Sequence, residues 1–149
     1  MDQSFFYQVQ DVFKSFVIDV GGALHTTAHP RGIKVWSDDA TREHYEAQLV
    51  RVDGKAMLEV GFHVEYPKVE KNEAVLARLL KSEKVWRREL GGEPTAGVFI
   101  GADRWRRISE IWDEPDADDV GAAFEIAARL ADYVSVLEPL RSEGVGDDA

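Results

Sequence analysis

The chain has 149 residues, no cysteine, and 28 acidic against 18 basic side chains, a formal net charge of −10. At this length a single domain buries roughly 70% of its unfolded surface, and 44% apolar with 31% charged residues argues against wholesale disorder. The absence of cysteine excludes disulfides, thiolate catalysis, zinc fingers and cysteine-held iron–sulfur clusters, and the net negative charge disfavours nucleic-acid binding over the whole surface.

The first predicted element is a helix over about Ser4 to Val20. Phe5, Val9, Val12, Phe13, Phe16 and Val20 fall at three- and four-residue spacings and form one apolar stripe, with Ser4 as cap and Gly21-Gly22 as stop. A polar loop containing His25, His29, Pro30 and Gly32 leads to a short strand around Ile33 to Trp36. The clearest signal is a hairpin, His44 to Val52 and Lys55 to Tyr66, turning at Asp53-Gly54, the dipeptide that best suits two successive positive φ angles. Counting outward from that turn sets Leu49 against Leu58, Ala47 against Val60 and Tyr45 against Phe62 on one face. Gln48 then faces Glu59, Glu46 faces Gly61, and His44 faces His63 on the other.

A second helix is predicted from about Glu73 to Leu90, capped by Asn72 and stopped by Gly91-Gly92. Thr95 to Ile100 and Trp105 to Trp112 read as two strands about a tight loop, although Trp105, Ile108, Ile111 and Trp112 would equally line one side of a short helix. Asp116 to Asp119 open a last helix that runs to about Leu140, their charges suiting the positive end of its dipole. Residues 142–149 read as a loose acidic tail. The order α-β-β-β-α-β-β-α implies a single α+β domain over residues 1–141, an antiparallel sheet of about five strands covered by helices.

Three constellations carry candidate chemistry. His44 and His63, directly opposed on neighbouring strands, are close enough to share a metal, and Glu46 and Glu65 complete a ligand set suited to zinc, nickel or manganese. The alternative is a solvated polar strand face whose two imidazoles repel when both are protonated. His25 and His29 lie on a loop, where their spacing is a poor metal clasp, and Asp38-Asp39 reads as a turn or cap. The triplet Trp-Arg-Arg occurs twice, bringing Arg87, Arg88, Arg106 and Arg107 beside indoles, as in a stacking and phosphate-pairing site. The competing reading makes the tryptophans core anchors and pairs the arginines with the acidic last helix or with Glu89 and Glu110. No glycine-rich phosphate loop, G-x-S-x-G elbow or H-E-x-x-H is present.

Lys71-Asn72, Leu90-Gly91, Trp105-Arg106-Arg107-Ile108 and the stretch from Asp132-Tyr133 to Leu140 resemble an uncharacterised bacterial domain of the kind appended to restriction-endonuclease-like proteins. That resemblance spans about half the chain and implies no catalytic residues. The element order, size and acidity also resemble the type III secretion chaperone-like fold, shared by sensory-transduction-regulator-like proteins. This second resemblance implies a small, non-enzymatic, usually dimeric protein that binds a partner polypeptide.

The leading expectation is thus a cytoplasmic homodimer without cofactor, spanning no membrane and carrying no basic secretory start. It would recognise another polypeptide, one of basic character suiting its acidic rim, through an apolar groove at Phe5, Phe6, Tyr7 and Trp36. A metal-dependent enzyme or nuclease-associated accessory using His44, Glu46, His63 and Glu65 is the alternative, and nucleotide or nucleic-acid binding by the arginines is a third.

Overall fold

The computed structural model describes residues 4–17, 24–37 and 40–147. Asp53 and Gly54 both take positive φ, 52° and 78°, so the turn has the twist that a two-residue hairpin needs. The strands it joins, β3 (Ala40–Val52) and β4 (Lys55–Val64), pair in the register counted from the sequence. Leu49 meets Leu58, Tyr45 meets Phe62 and His44 meets His63.

Around this hairpin the chain builds one antiparallel sheet in the order β1-β2-β3-β4-β6-β5, with β1 at Leu24–His29, β2 at Gly32–Ser37, β5 at Thr95–Phe99 and β6 at Ala102–Asp113. Six strands replace the five expected. The segment taken for a loop, residues 24–29, alternates half-buried and exposed side chains and pairs along its whole length with β2. Consequently β2 is internal, and Trp36 does not sit on an edge strand. Trp105 to Trp112 is strand, since β6 pairs with β4 on one side and β5 on the other.

Alternate strand residues divide the sheet. Ile33, Val35, Tyr45, Ala47, Leu58, Val60, Phe62, Val64 and Ile108 join the helices in one apolar core. Helix α1 (Phe5–Phe16) contributes Phe5, Phe6, Val9 and Phe13, all buried. Each buried aromatic of this kind is worth about 1.5–3 kcal/mol of transfer free energy. Phe5 and Phe6 therefore do not form an exposed helix start: the stripe that predicts the helix also commits both rings to the core, and only Tyr7 remains at the surface. The expected stop, Val20 to Gly22, lies outside the described residues.

The helix expected over Glu73–Leu90 is two, α2 (Val69–Leu80) and α3 (Glu83–Leu90). The break has a cause. The buried Trp86 indole N–H donates to the Leu79 carbonyl at 2.9 Å, taking the acceptor that a continuous helix would offer to Glu83. Nor does Asn72 cap a helix start, for α2 begins three residues earlier. Asn72 is buried and ties the segment just after β4 to β6, accepting from Tyr66 N at 2.7 Å and donating to Tyr66 O at 2.9 Å and Arg104 O at 2.8 Å.

Helix α4 (Val120–Asp147) packs Ile126, Ala127, Leu130, Tyr133, Val134 and Leu137 into the core. It continues past Leu140 into the segment expected to be loose. Buried Arg141 anchors that turn through Glu138 Oε1 (2.6 Å) and Ser37 Oγ (2.9 Å).

At Gly61 the pairing of β4 with β6 leaves no room for a side chain. A Cβ there would stand 2.4 Å from Ile108 O and 2.5 Å from Ser109 Cα, and both are backbone atoms of a paired strand. Gly61→Ala is expected to lower stability by about 1–3 kcal/mol, read as a reduced urea midpoint in equilibrium unfolding.

Candidate metal centre

The sheet face opposite the core carries His44 and Glu46 from β3 and His63 from β4, with Glu65 just beyond the end of β4. The repeated pattern is His-x-Glu: the alternation of a strand sends both members of each triplet to the same side, and the hairpin register brings the two triplets together. His44 Nε2 lies 2.8 Å from Glu46 Oε1 and 3.2 Å from Glu65 Oε2. His63 Nδ1 lies 3.3 Å from the same Glu46 oxygen and 3.6 Å from Glu65 Oε2. Nitrogen and oxygen thus alternate around a ring of four donors. Zinc bonds of about 2.0–2.1 Å in a tetrahedron separate neighbouring donors by about 3.3–3.4 Å, and the four edges bracket that spacing.

The other nitrogen of each imidazole is already committed. His44 Nδ1 is 3.1 Å from Thr41 O, a carbonyl that only accepts, so Nδ1 carries a proton and Nε2 is the atom turned to the centre. His63 Nε2 is 2.9 Å from Glu59 Oε2, so Nδ1 is turned to the centre. An N–H anchored to a carbonyl or carboxylate on the far side is the usual support of a metal-bound histidine.

His44 and His63 are 1% and 0% exposed, Glu46 7%. Burial by itself would lower the pKa of His63, but the charge of Glu59 and the hydrogen bonds to Glu46, Glu59 and Glu65 outweigh it and hold the pKa well above the ordinary 6.5. His44 is desolvated too and still raised, through Glu46 and Glu65. For the carboxylates burial acts upward and the imidazoles act downward and win: Glu65 falls to about 2, Glu59 is lowered, and Glu46 lies well below the usual carboxylate range.

Among the described residues this is the one group of His, Asp and Glu side chains placed to hold a metal ion. Sequence reasoning named all four members. It passed over Glu59, Thr41 and Ser109, although the pairing of Gln48 with Glu59 follows from the same register and places Glu59 two strand positions from Gly61 and four from His63. With no side chain at 61 between them, the Glu59 carboxylate and the His63 ring meet.

The remaining candidates do not converge. His25 stacks on Trp36 with centroids 5.6 Å apart. His25 and His29, both exposed on β1, are separated by four strand steps, roughly 13 Å, too far to share an ion. Asp38 and Asp39 lie outside the described residues. Arg106 and Arg107 are adjacent on β6 and face opposite sides: Arg106 bonds Glu73 (3.1 Å) and Arg107 bonds Ser109 Oγ (2.8 Å). On α3, Arg87 is held by Glu83 and Pro94 O, and Arg88 is exposed. Glu110, a suggested arginine partner, instead accepts from Arg129, Tyr133 and the Trp112 indole.

In comparisons with known proteins, no family model, no curated protein and no solved structure matches the chain.

The titration directions set a pH window. Imidazoles with raised pKa stabilise the fold fully below about pH 6.5 and lose that contribution as pH climbs through their folded values. Carboxylates with lowered pKa contribute fully above about pH 4.5 and lose it as pH falls toward 2. Metal-stripped protein is therefore expected to melt highest between about pH 4.5 and 6.5, with a lower melting temperature on either side in chelator-containing buffers.

Proposed function

We propose that this chain is a metal-binding domain that takes one divalent transition-metal ion, zinc foremost, between His44, Glu46, His63 and Glu65. The observation that carries this reading is the convergence of four alternating nitrogen and oxygen donors whose two imidazoles are each anchored through the nitrogen that faces away. Two imidazoles and two carboxylates form a set of intermediate hardness that suits Zn²⁺, Mn²⁺, Fe²⁺ or Ni²⁺ rather than a soft ion such as Cu⁺. The Glu46 and Glu65 carboxylates neutralise a dication, and the remaining charge of Glu59 beside them is met by hydrogen bonds with Gln48, Ser109 and His63.

Four protein donors on a nearly closed face fit a structural or ion-holding role better than a catalytic one, which keeps a coordination position for water or substrate. The ion would clasp β3 to β4 across the middle of the sheet. Because both imidazoles must surrender the proton on the inward nitrogen, loading competes with protonation and strengthens as pH rises. The domain thus reads as a cation-responsive binding protein.

The test is metal content by mass spectrometry and zinc titration by calorimetry. Wild-type protein is expected to bind one ion. At a zinc concentration 100-fold above Kd the fold gains about 2.7 kcal/mol, a rise in melting temperature of roughly 5–10 °C for a chain of this size. His63→Ala and the gentler Glu65→Gln, at the most exposed donor, should each weaken or abolish both signals, and Arg88→Ala should leave them unchanged. A wild-type protein that takes up no ion, or histidine and glutamate variants that bind as tightly as wild type, would overturn the reading.

A further inference from the structure

Glu59 is 0% exposed, belongs to none of the four donors, and yet is the most heavily hydrogen-bonded carboxylate near them. Its Oε1 accepts from Gln48 Nε2 at 2.9 Å. Its Oε2 accepts from Ser109 Oγ at 2.7 Å and faces His63 Nε2 at 2.9 Å. Ser109 Oγ in turn accepts from Arg107 at 2.8 Å, and Arg107 also reaches Val98 O on β5 at 3.2 Å. Strands β3, β4 and β6 thus converge on one buried carboxylate, with β5 bracing the outermost link.

We infer that Glu59 is the positioning residue of the metal centre, obliging His63 to ligate through Nδ1 while His44 ligates through Nε2. The inference rests on the metal-binding reading. A free imidazole offers either nitrogen to a cation by flipping its ring. Here Oε2 of Glu59 holds the Nε2 proton, and the Phe99 ring packs T-shaped against His63 at 4.5 Å between centroids, so a flip forfeits the hydrogen bond and must turn against a packed ring. The carboxylate also makes the imidazole a stronger donor through its N–H. A second-sphere carboxylate fixed by Gln48 and Ser109 cannot swing away to follow a flipped ring.

Zinc affinity measured by competition with a chromophoric chelator, together with long-range ¹H–¹⁵N correlation of the imidazoles in zinc-loaded protein, tests the assignment. Wild type is expected to show His63 metal-bound at Nδ1 and protonated at Nε2, with the opposite pattern at His44. Glu59→Gln keeps the shape but removes the charge, and should still bind one zinc with an affinity roughly 10–100-fold lower. Ser109→Ala, which removes one of the donors fixing Glu59, should lose affinity in the same direction by less, and it decides the matter should Glu59→Gln fail to fold. Unchanged affinity in a folded Glu59→Gln, or in Ser109→Ala should that variant decide, or His63 ligating through Nε2 in wild type, overturns this inference alone. A wild type that binds no zinc overturns the metal reading and this assignment with it.

Discussion

Two residues with positive φ, Asp53 and Gly54, decide which side chains in this protein meet. They set the β3–β4 register, and with it the confrontation of His44 with His63 across the strands. A slip of one residue in that pairing would part the two imidazoles onto opposite faces of the sheet and send one of Tyr45 and Phe62 to the polar side. The core and the candidate centre are thus two consequences of a single count along the chain. Neither face tolerates a change that suits the other.

Three carboxylates and two imidazoles gathered away from water pose an electrostatic problem that has two solutions. Two protons on the inward nitrogens supply positive charge in the absence of an ion, as the raised imidazoles and lowered carboxylates indicate. On the metal-binding proposal, one dication would supply the same charge with firmer bonds. The other buried carboxylates among the described residues are met differently. Glu110 is held by the Arg129 guanidinium and the Tyr133 hydroxyl, and Glu43 faces Arg141. A guanidinium keeps its proton throughout the accessible pH range, so those clusters are permanently compensated and brace α4 against the sheet. Among the described residues, only the histidine cluster has a counter-charge that can be exchanged.

The elements that sequence reasoning recovered well are those whose signal is local. The stripe in α1, the Asp53-Gly54 turn and the alternation along β3 and β4 each concern residues close in the chain, and together they yielded all four donors. What escaped depends on distant partners. Residues 24–29 have weak strand character and become a strand only because β2 offers an edge. The break between α2 and α3 arises from one indole reaching back to Leu79. Phe5 and Phe6 were assigned to a surface groove because a helix stripe says that a ring is buried without saying whether this domain or a partner buries it; the core shared with α4 supplies the answer. Glu59 stood in the hairpin register from the start, but its role depends on Ser109, fifty residues away and brought alongside by the β4–β6 pairing.

All four donors lie between residues 44 and 65, within one hairpin. The loop that must close to gather them is short, so its entropic cost is small, and the gathering requires neither α4 nor the β5–β6 pair. On the metal-binding proposal, a cation would act on a piece of chain whose two arms are already neighbours in sequence. The supporting carboxylate is different: Glu59 needs β6 alongside β4 to gain its Ser109 partner, which Arg107 holds in turn. The proposed centre would in this way divide its requirements, the donors local to one hairpin and their support dependent on a distant strand.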